Sequence, residues 1–345
     1  MGIGFCQRSF LLLPAFIFIS MMISLMYNAR ASSSICFGLA KTSRGVSRII
    51  RPLSTASFIS SSRMQSWPQG RRGMGRRGRS SLVSASSSNE MEVSLIPCLS
   101  DNYAYLLHNS ATGTIAIVDP SEAAPVRAEL QMKNLGRIDY ILNTHHHFDH
   151  IGGNIELKEE FGAKIIGPAA DKERIPGIDE AYADGERFDM GGEEVVVLHT
   201  PGHTSGHCAF YLPRSAAVFT GDTLFSLGCG RLFEGTAAQM HESLNKISAL
   251  PKETLVYCGH EYTQSNAKFA LAVDSENGDL QKRNEEISQL RRKNTPTIPT
   301  TIGLETATNP FLRIKDENLR KNLGVKAGAS DEEVFAVLRT MKDNF

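Results

Sequence analysis

Seven of the ten histidines fall between His145 and His207, and the densest run is Thr144-His145-His146-His147-Phe148-Asp149-His150. In an extended segment side chains alternate, so His145 and His147 face one side and His146 the other. Beyond Phe148 the chain turns, which lets Asp149 and His150 approach from a second direction. Five nitrogen or oxygen donors thus crowd the carboxyl end of the apolar strand at Tyr140–Leu142. Three further segments repeat the order strand, turn, donor. Glu194–His199 leads into Thr200-Pro201-Gly202-His203, Ala216–Phe219 into Thr220-Gly221-Asp222, and Thr254–Cys258 into Gly259-His260. Ligands in open α/β layers gather outside such strand ends. Four of them, each delivering imidazole or carboxylate, are enough for two divalent cations. The donors suit zinc, iron or manganese alike, and with no thiolate in the set nothing selects zinc sharply.

A lone histidine in a turn is ordinarily a solvated or capping side chain. That plain reading is kept for His199 at a strand end and for His108 and His241 on the surface. His207 is read as a residue that supports a ligand from behind. His146 faces away and is left out of the ligand set. Asp119 ends the strand Ile115-Ala116-Ile117-Val118; it is either a further ligand or, as we prefer, a hydrogen-bond partner of a metal-bound histidine.

The elements that must position these groups are legible in outline. Val93–Ile96, Ala104–His108, Thr114–Val118, Tyr140–Asn143, Ala163–Ile166, Glu194–His199, Cys208–Leu212, Ala216–Phe219 and Thr254–Cys258 read as strands. Helices are expected near Ala123–Lys133, Gly153–Phe161 and Thr236–Ala249. Strands first paired by turns and then interleaved with helices predict an α/β protein of sheet layers covered by helices. After Tyr262 strand signals nearly stop and helical spacing takes over, as in Leu280, Ile287 and Leu290. Ser330 with Glu333 forms a capping box for a last helix carrying Val334, Val337, Leu338 and Met341. We therefore expect an α/β domain at 91–262 and a helical domain at 263–345. The joint is placed at Thr295–Thr300 and Asn309-Pro310-Phe311.

The 345 residues carry 37 basic and 37 acidic side chains, but unevenly. Residues 1–89 hold twelve basic groups and no acid, which leaves residues 90–345 at net −12. Nonspecific nucleic-acid binding by that part is disfavoured. A chain that is 41 % hydrophobic is too apolar for wholesale disorder. Residues 1–90, rich in Ser and Arg and without a core of their own, read as a disordered organellar transit segment. The mitochondrion is expected, with the chloroplast as alternative. The uncharged run Phe10–Tyr27 leaves a secretory signal or a membrane anchor open. Cys6 and Cys36 fall in this segment; Cys98, Cys208, Cys229 and Cys258 are widely spaced and form no disulfide framework.

From Met91 to Phe345 the chain resembles the metallo-β-lactamase superfamily, and within it the glyoxalase II thioesterases, or hydroxyacylglutathione hydrolases. The motifs are Thr144–His150, Thr200–Thr204, Gly221–Phe225, Cys258–Tyr262 and Asn309–Arg313. The resemblance implies an αββα sandwich followed by a C-terminal α-helical substrate-binding domain. It implies a first metal on His145, His147 and His203, a second on Asp149, His150 and His260, and Asp222 bridging both. It further implies glutathione contacts from Arg231, Phe233, Tyr262, Arg339 and Lys342. Arg231 and Phe233 depart from the commoner Lys and Tyr of that loop, so the glutathione end has a changed cation and no phenol there. Arg339 and Lys342 also read simply as basic residues at a helix C-terminus.

The implied reaction is hydrolysis of S-D-lactoylglutathione to D-lactate and glutathione, the second step of methylglyoxal detoxification, with a metal-bridging hydroxide as nucleophile. Asp149 has a rival role as proton acceptor. The substrate is a small-molecule thioester, with neither nucleic acid nor membrane as partner for the mature domain, and a monomer is expected. Two other readings stand beside it. One is the superfamily's single-iron persulfide dioxygenase, against which Asp149, His150, His260 and the long helical tail speak. The other is a catalytically silent metal-binding module, whose signature would be a broken ligand set.

Overall fold

The computed structural model describes residues 90–345. Residues 1–89 of the segment read as a transit sequence, with Phe10–Tyr27 and the arginine run to Arg79, lie outside them, as do Cys6 and Cys36.

Two six-stranded sheets make the frame. The first runs β1 (Glu92–Cys98), β2 (Asn102–Asn109), β3 (Thr114–Val118), β4 (Tyr140–Leu142), β5 (Lys164–Pro168), β6 (Glu180–Tyr182). Its first three strands are antiparallel and β3 to β6 are parallel. The second contains β7 (Arg187–Met190), β8 (Glu193–His199), β9 (Cys208–Leu212), β10 (Ala217–Gly221), β13 (Leu255–Cys258) and β14 (Thr300–Thr301), in the order β14-β13-β10-β9-β8-β7. A two-stranded ribbon, β11 (Leu224–Phe225) with β12 (Gly228–Cys229), stands apart from both sheets. In the second sheet β8 and β10 are each antiparallel to β9, and β13 is parallel to β10. The ends of β8, β10 and β13 therefore open onto one edge.

Side-chain alternation explains the layering. Along β2, Tyr103, Tyr105 and Leu107 join the core between the sheets with Val195, Phe210, Phe219 and Tyr257. The intervening Ala104 and Leu106 join the layer under α1 (Ala123–Met132) and α3 (Asn154–Phe161) with Ile117, Val126 and Leu157. On the second sheet Val218 and Val256 face the opposite way, toward α4 (Ala237–Ser248) and the C-terminal helices, meeting Met240, Leu244, Phe269, Phe335 and Leu338. The short α2 (Phe148–Ile151) follows the histidine run. The result is helix, sheet, sheet, helix.

The C-terminal helices are α5 (Thr263–Val273), α6 (Gly278–Arg292), α7 (Ile302–Thr308), α8 (Glu317–Asn322) and α9 (Asp331–Asp343). The Ser330 and Glu333 capping box is present at the start of α9. Two details differ from expectation. The segment read as a joint contributes strand β14, paired to β13, and Asn309 and Phe311 are buried. The four cysteines of the described residues are free and buried. Among the described residues no helix is long and apolar enough to cross a membrane.

Candidate active site

The four donor-bearing strand ends converge. Two groups of ligand atoms, His145 with His147 and His203, and Asp149 with His150 and His260, each lie within 4.8 Å of one another. Asp222 sits between them. Its Oδ2 is 3.3 Å from His203 Nε2 and 3.4 Å from His260 Nε2, and its Oδ1 is 3.5 Å from His150 Nε2. Two glycines make this approach possible. A Cβ on Gly259 would stand 2.5 Å from Asp222 Oδ1, and one on Gly221 would stand 2.3 Å from Thr144 Oγ1. Gly221 also has φ +45°, which a side chain would strain.

Four of the five imidazoles are oriented from behind. His150 Nδ1 is 3.0 Å from Asp119 Oδ2, His260 Nδ1 is 2.8 Å from Asp101 Oδ1, and His203 Nδ1 donates to the Arg231 carbonyl at 2.9 Å. His145 Nδ1 lies 3.1 Å from Thr144 Oγ1. A third group of donors, Asp119 with His145 and His150, is also compact. Asp119, however, is already committed, accepting from Thr144 N at 2.8 Å and from Thr144 Oγ1 at 2.6 Å as well as facing His150. Its φ of +47° at the end of β3 is a turn that aspartate tolerates and that aims both oxygens at this loop.

Among these ligand atoms, three are buried without a hydrogen-bond partner: His145 Nε2, His150 Nε2 and Asp222 Oδ1. Buried polar atoms are nearly always satisfied, and these are Lewis bases that face one another across the site. Burial, and next the neighbouring imidazoles, push His145 well below its ordinary pKa, and His147 falls to about 4. Both are neutral at physiological pH with lone pairs available. Burial alone would raise the Asp222 carboxyl, but His150 and His260 hold it well below the usual range. The donor set therefore fits divalent cations.

Above these groups opens a cavity of about 560 Å3. His147, Asp149, His203, Asp222 and His260 line it on the metal-donor side, and Arg231, Phe233, Tyr262, Arg339 and Lys342 line it together with Phe225, Cys229, Ser265 and Asn266. His145 and His150 lie buried beneath. All twelve sequence-predicted residues therefore belong to one site. The Tyr262 ring stacks on His260 at 4.6 Å. Phe233 meets His147 and His203 edge-on at 5.8 and 5.1 Å while remaining exposed. Arg339 is not a solvated helix-end base. It is buried and donates to the Cys229 carbonyl at 2.9 Å and to Asp343 at 2.9 Å.

Two contributors, Asp101 and Asn102, were not read from the sequence. Asp101 closes the turn between β1 and β2 and Asn102 opens β2, where it donates to Asp149 Oδ2 at 3.0 Å. His207 is buried and accepts from the Asp222 backbone N–H at 3.0 Å, so it supports the loop rather than the cavity. His146 turns away, as alternation requires, and contacts Asp171 at 2.9 Å.

Two αβ layers with histidine and carboxylate at their shared edge define the metallo-beta-lactamase superfamily, whose sequence model matches residues 100–260. The "Hydroxyacylglutathione hydrolase C-terminus" model matches residues 261–345. The hydroxyacylglutathione hydrolases of Ruegeria pomeroyi and Methylococcus capsulatus are each 50% identical over 255 residues, covering 74% of this chain and 99% of theirs. The chain belongs to the hydroxyacylglutathione hydrolase family. Among solved structures, that of ETHE1 from Myxococcus xanthus is similar with a TM-score of 0.52 and 27% identity, over 73% of this chain and 91% of that one.

Proposed function

We infer that the protein is a metal-dependent hydrolase of S-(2-hydroxyacyl)glutathione thioesters, converting S-D-lactoylglutathione to D-lactate and glutathione. The observation that carries this is Asp222, placed between two donor triads under a cavity rimmed by cations. Two divalent cations fit the donors, one on His145, His147 and His203 and one on Asp149, His150 and His260, with Asp222 shared. When bound, such a pair lowers the pKa of a water from about 15.7 toward about 7 and polarises a carbonyl oxygen. Zinc, iron and manganese all suit the donors.

The chain's own groups supply the rest. Asp149 is held by Asn102 and faces His260 Nε2 at 3.4 Å, so ligation accounts for it better than free proton transfer. Arg231, Arg339 and Lys342 give the far end of the cavity the positive potential that glutathione's two carboxylates require. Burial raises the Tyr262 phenol above its ordinary value, so it stays a hydrogen-bond donor on the alkaline side as well as at neutral pH. No acid is needed for the leaving group, because a cysteine-type thiolate with a pKa of about 8.5 departs unaided.

The twelve basic and no acidic residues in positions 1–89 support organellar import, with the mitochondrion first and the chloroplast as alternative. The function is tested by following loss of S-D-lactoylglutathione while metal content is measured. Turnover should disappear on chelation and return with zinc, iron or manganese; turnover that survives complete metal removal contradicts the reading. Oxygen uptake with glutathione persulfide and no thioester hydrolysis would favour the dioxygenase instead.

A further inference from the structure

The loop between β12 and α4, residues 230–236, has no regular structure, yet it presents Arg231 and Phe233 to the cavity. Its backbone is tied near both ends and at Arg231, where the carbonyl accepts from His203, while Phe233 N donates to the His203 carbonyl at 3.3 Å and Gly235 N to the Gly202 carbonyl at 3.0 Å. The next side chain, Glu234, is more firmly held. Its Oε2 accepts from Ser205 N at 2.7 Å and from Ser205 Oγ at 2.8 Å, and its Oε1 accepts from Arg174 at 2.7 Å. Arg174 also donates to Ser205 Oγ at 3.0 Å and to Asp171 at 3.1 Å. Asp171 is fully buried and contacts His146. The network joins the histidine run, the turn after His203 and the substrate loop, and no member of it is among the metal donors.

We propose that Glu234, clamped by Arg174 and Ser205, is a positioning residue that fixes the Arg231–Phe233 loop over the cavity and so sets affinity for the glutathione end of the substrate. The proposal rests on the thioesterase reading above. Although partial burial would raise it, Arg174 and the Ser205 donors hold the Glu234 carboxyl at about 2, so the clamp is charged at neutral pH. An isolated exposed ion pair contributes little to stability. A carboxylate taking three donors from two other segments constrains a loop far more than it stabilises the fold.

The test uses the metal-loaded full chain with Glu234→Ala, Arg174→Ala, the double variant and Glu234→Gln. Steady-state hydrolysis of S-D-lactoylglutathione, calorimetric titration with glutathione, metal content and melting temperature are measured on each. Glu234→Ala should raise KM and the glutathione Kd about tenfold while kcat stays within about threefold, the split expected when ground-state binding alone is lost. Metal content should stay at the wild-type value, which matters because His203 leans on the Arg231 carbonyl. Arg174→Ala should act in the same direction, the double variant should be no worse than Glu234→Ala, and Glu234→Gln, with one acceptor left, should recover part of the loss. Unchanged KM and Kd, or a fall in metal content and kcat with KM unmoved, overturns the proposal. If the wild type binds glutathione but fails to hydrolyse the thioester, the functional reading falls and the Kd series alone decides the clamp.

Discussion

The imidazoles of the donor set are only as useful as the groups that hold their other nitrogens. Asp119, Asp101 and the Arg231 carbonyl fix His150, His260 and His203 in one tautomer and one ring orientation. Removing such a partner typically lowers metal affinity ~10–100-fold. Asp101→Ala is expected to do so in chelator competition, and unchanged affinity would show that His260 needs no orienting partner. His145 to His150 were legible because five donors fall in one short run. Asp101 was not, because it lies 159 positions from His260 and reads locally as a turn residue. Lys342 yields a pH prediction. Burial, and then Arg339 and Arg231, lower its pKa from the ordinary 10.5. A lowered ammonium pKa means the charge is lost earlier as pH rises. Glutathione affinity should therefore weaken on the alkaline side at pH values below 10.5. Lys342→Met should bind more weakly at neutral pH and lack that decline, and the difference between the two proteins isolates the lysine.

At the level of elements, the ribbon of β11 and β12 shows how the helical region shapes the site. Its turn places Leu227 at φ +59°, and the backbone is held from α7. Glu305, fully buried, accepts from Leu227 N at 2.8 Å, Thr300 Oγ1 at 2.8 Å and Asn309 Nδ2 at 3.0 Å. Asn309 in turn donates to the carbonyls of Phe225 and Gly228. Glu305→Ala would strand two buried donors, Leu227 N and the Thr300 hydroxyl, since Asn309 keeps the Phe225 and Gly228 carbonyls, and should destabilise by about 3 kcal/mol in denaturant unfolding. Glu305→Gln should cost much less, since the Thr300 hydroxyl can turn to accept from the new amide. Burial raises the Glu305 pKa above 4.5 despite those donors. A raised carboxyl pKa contributes stability below pH 4.5 that is lost as pH rises through the folded value. Glu305→Gln should remove that part of the decline, and an unaltered pH profile would contradict it. Strands such as Thr114–Val118 and Cys208–Leu212 were readable residue for residue because they are apolar and bounded by turns. β6 and β7 were not, because Glu-Ala-Tyr and Arg-Phe-Asp-Met are largely half-exposed or exposed. β14 was hidden because Thr300 and Thr301 follow a proline-containing stretch and pair only at a sheet edge.

For the molecule as a whole, the fold was legible because four strand ends each carry a donor, and two packed sheets with those ends on one side bring residues 115 positions apart together. The functional reading depends on those donors holding metal. Anomalous diffraction from crystals of the metal-loaded protein, collected at the zinc, iron and manganese edges, tests this most directly. The account predicts two peaks, one contacted by His145, His147 and His203 and the other by Asp149, His150 and His260, with Asp222 touching both. A single peak that leaves Asp149, His150 and His260 unligated, or none within this edge of the sheets, would contradict it.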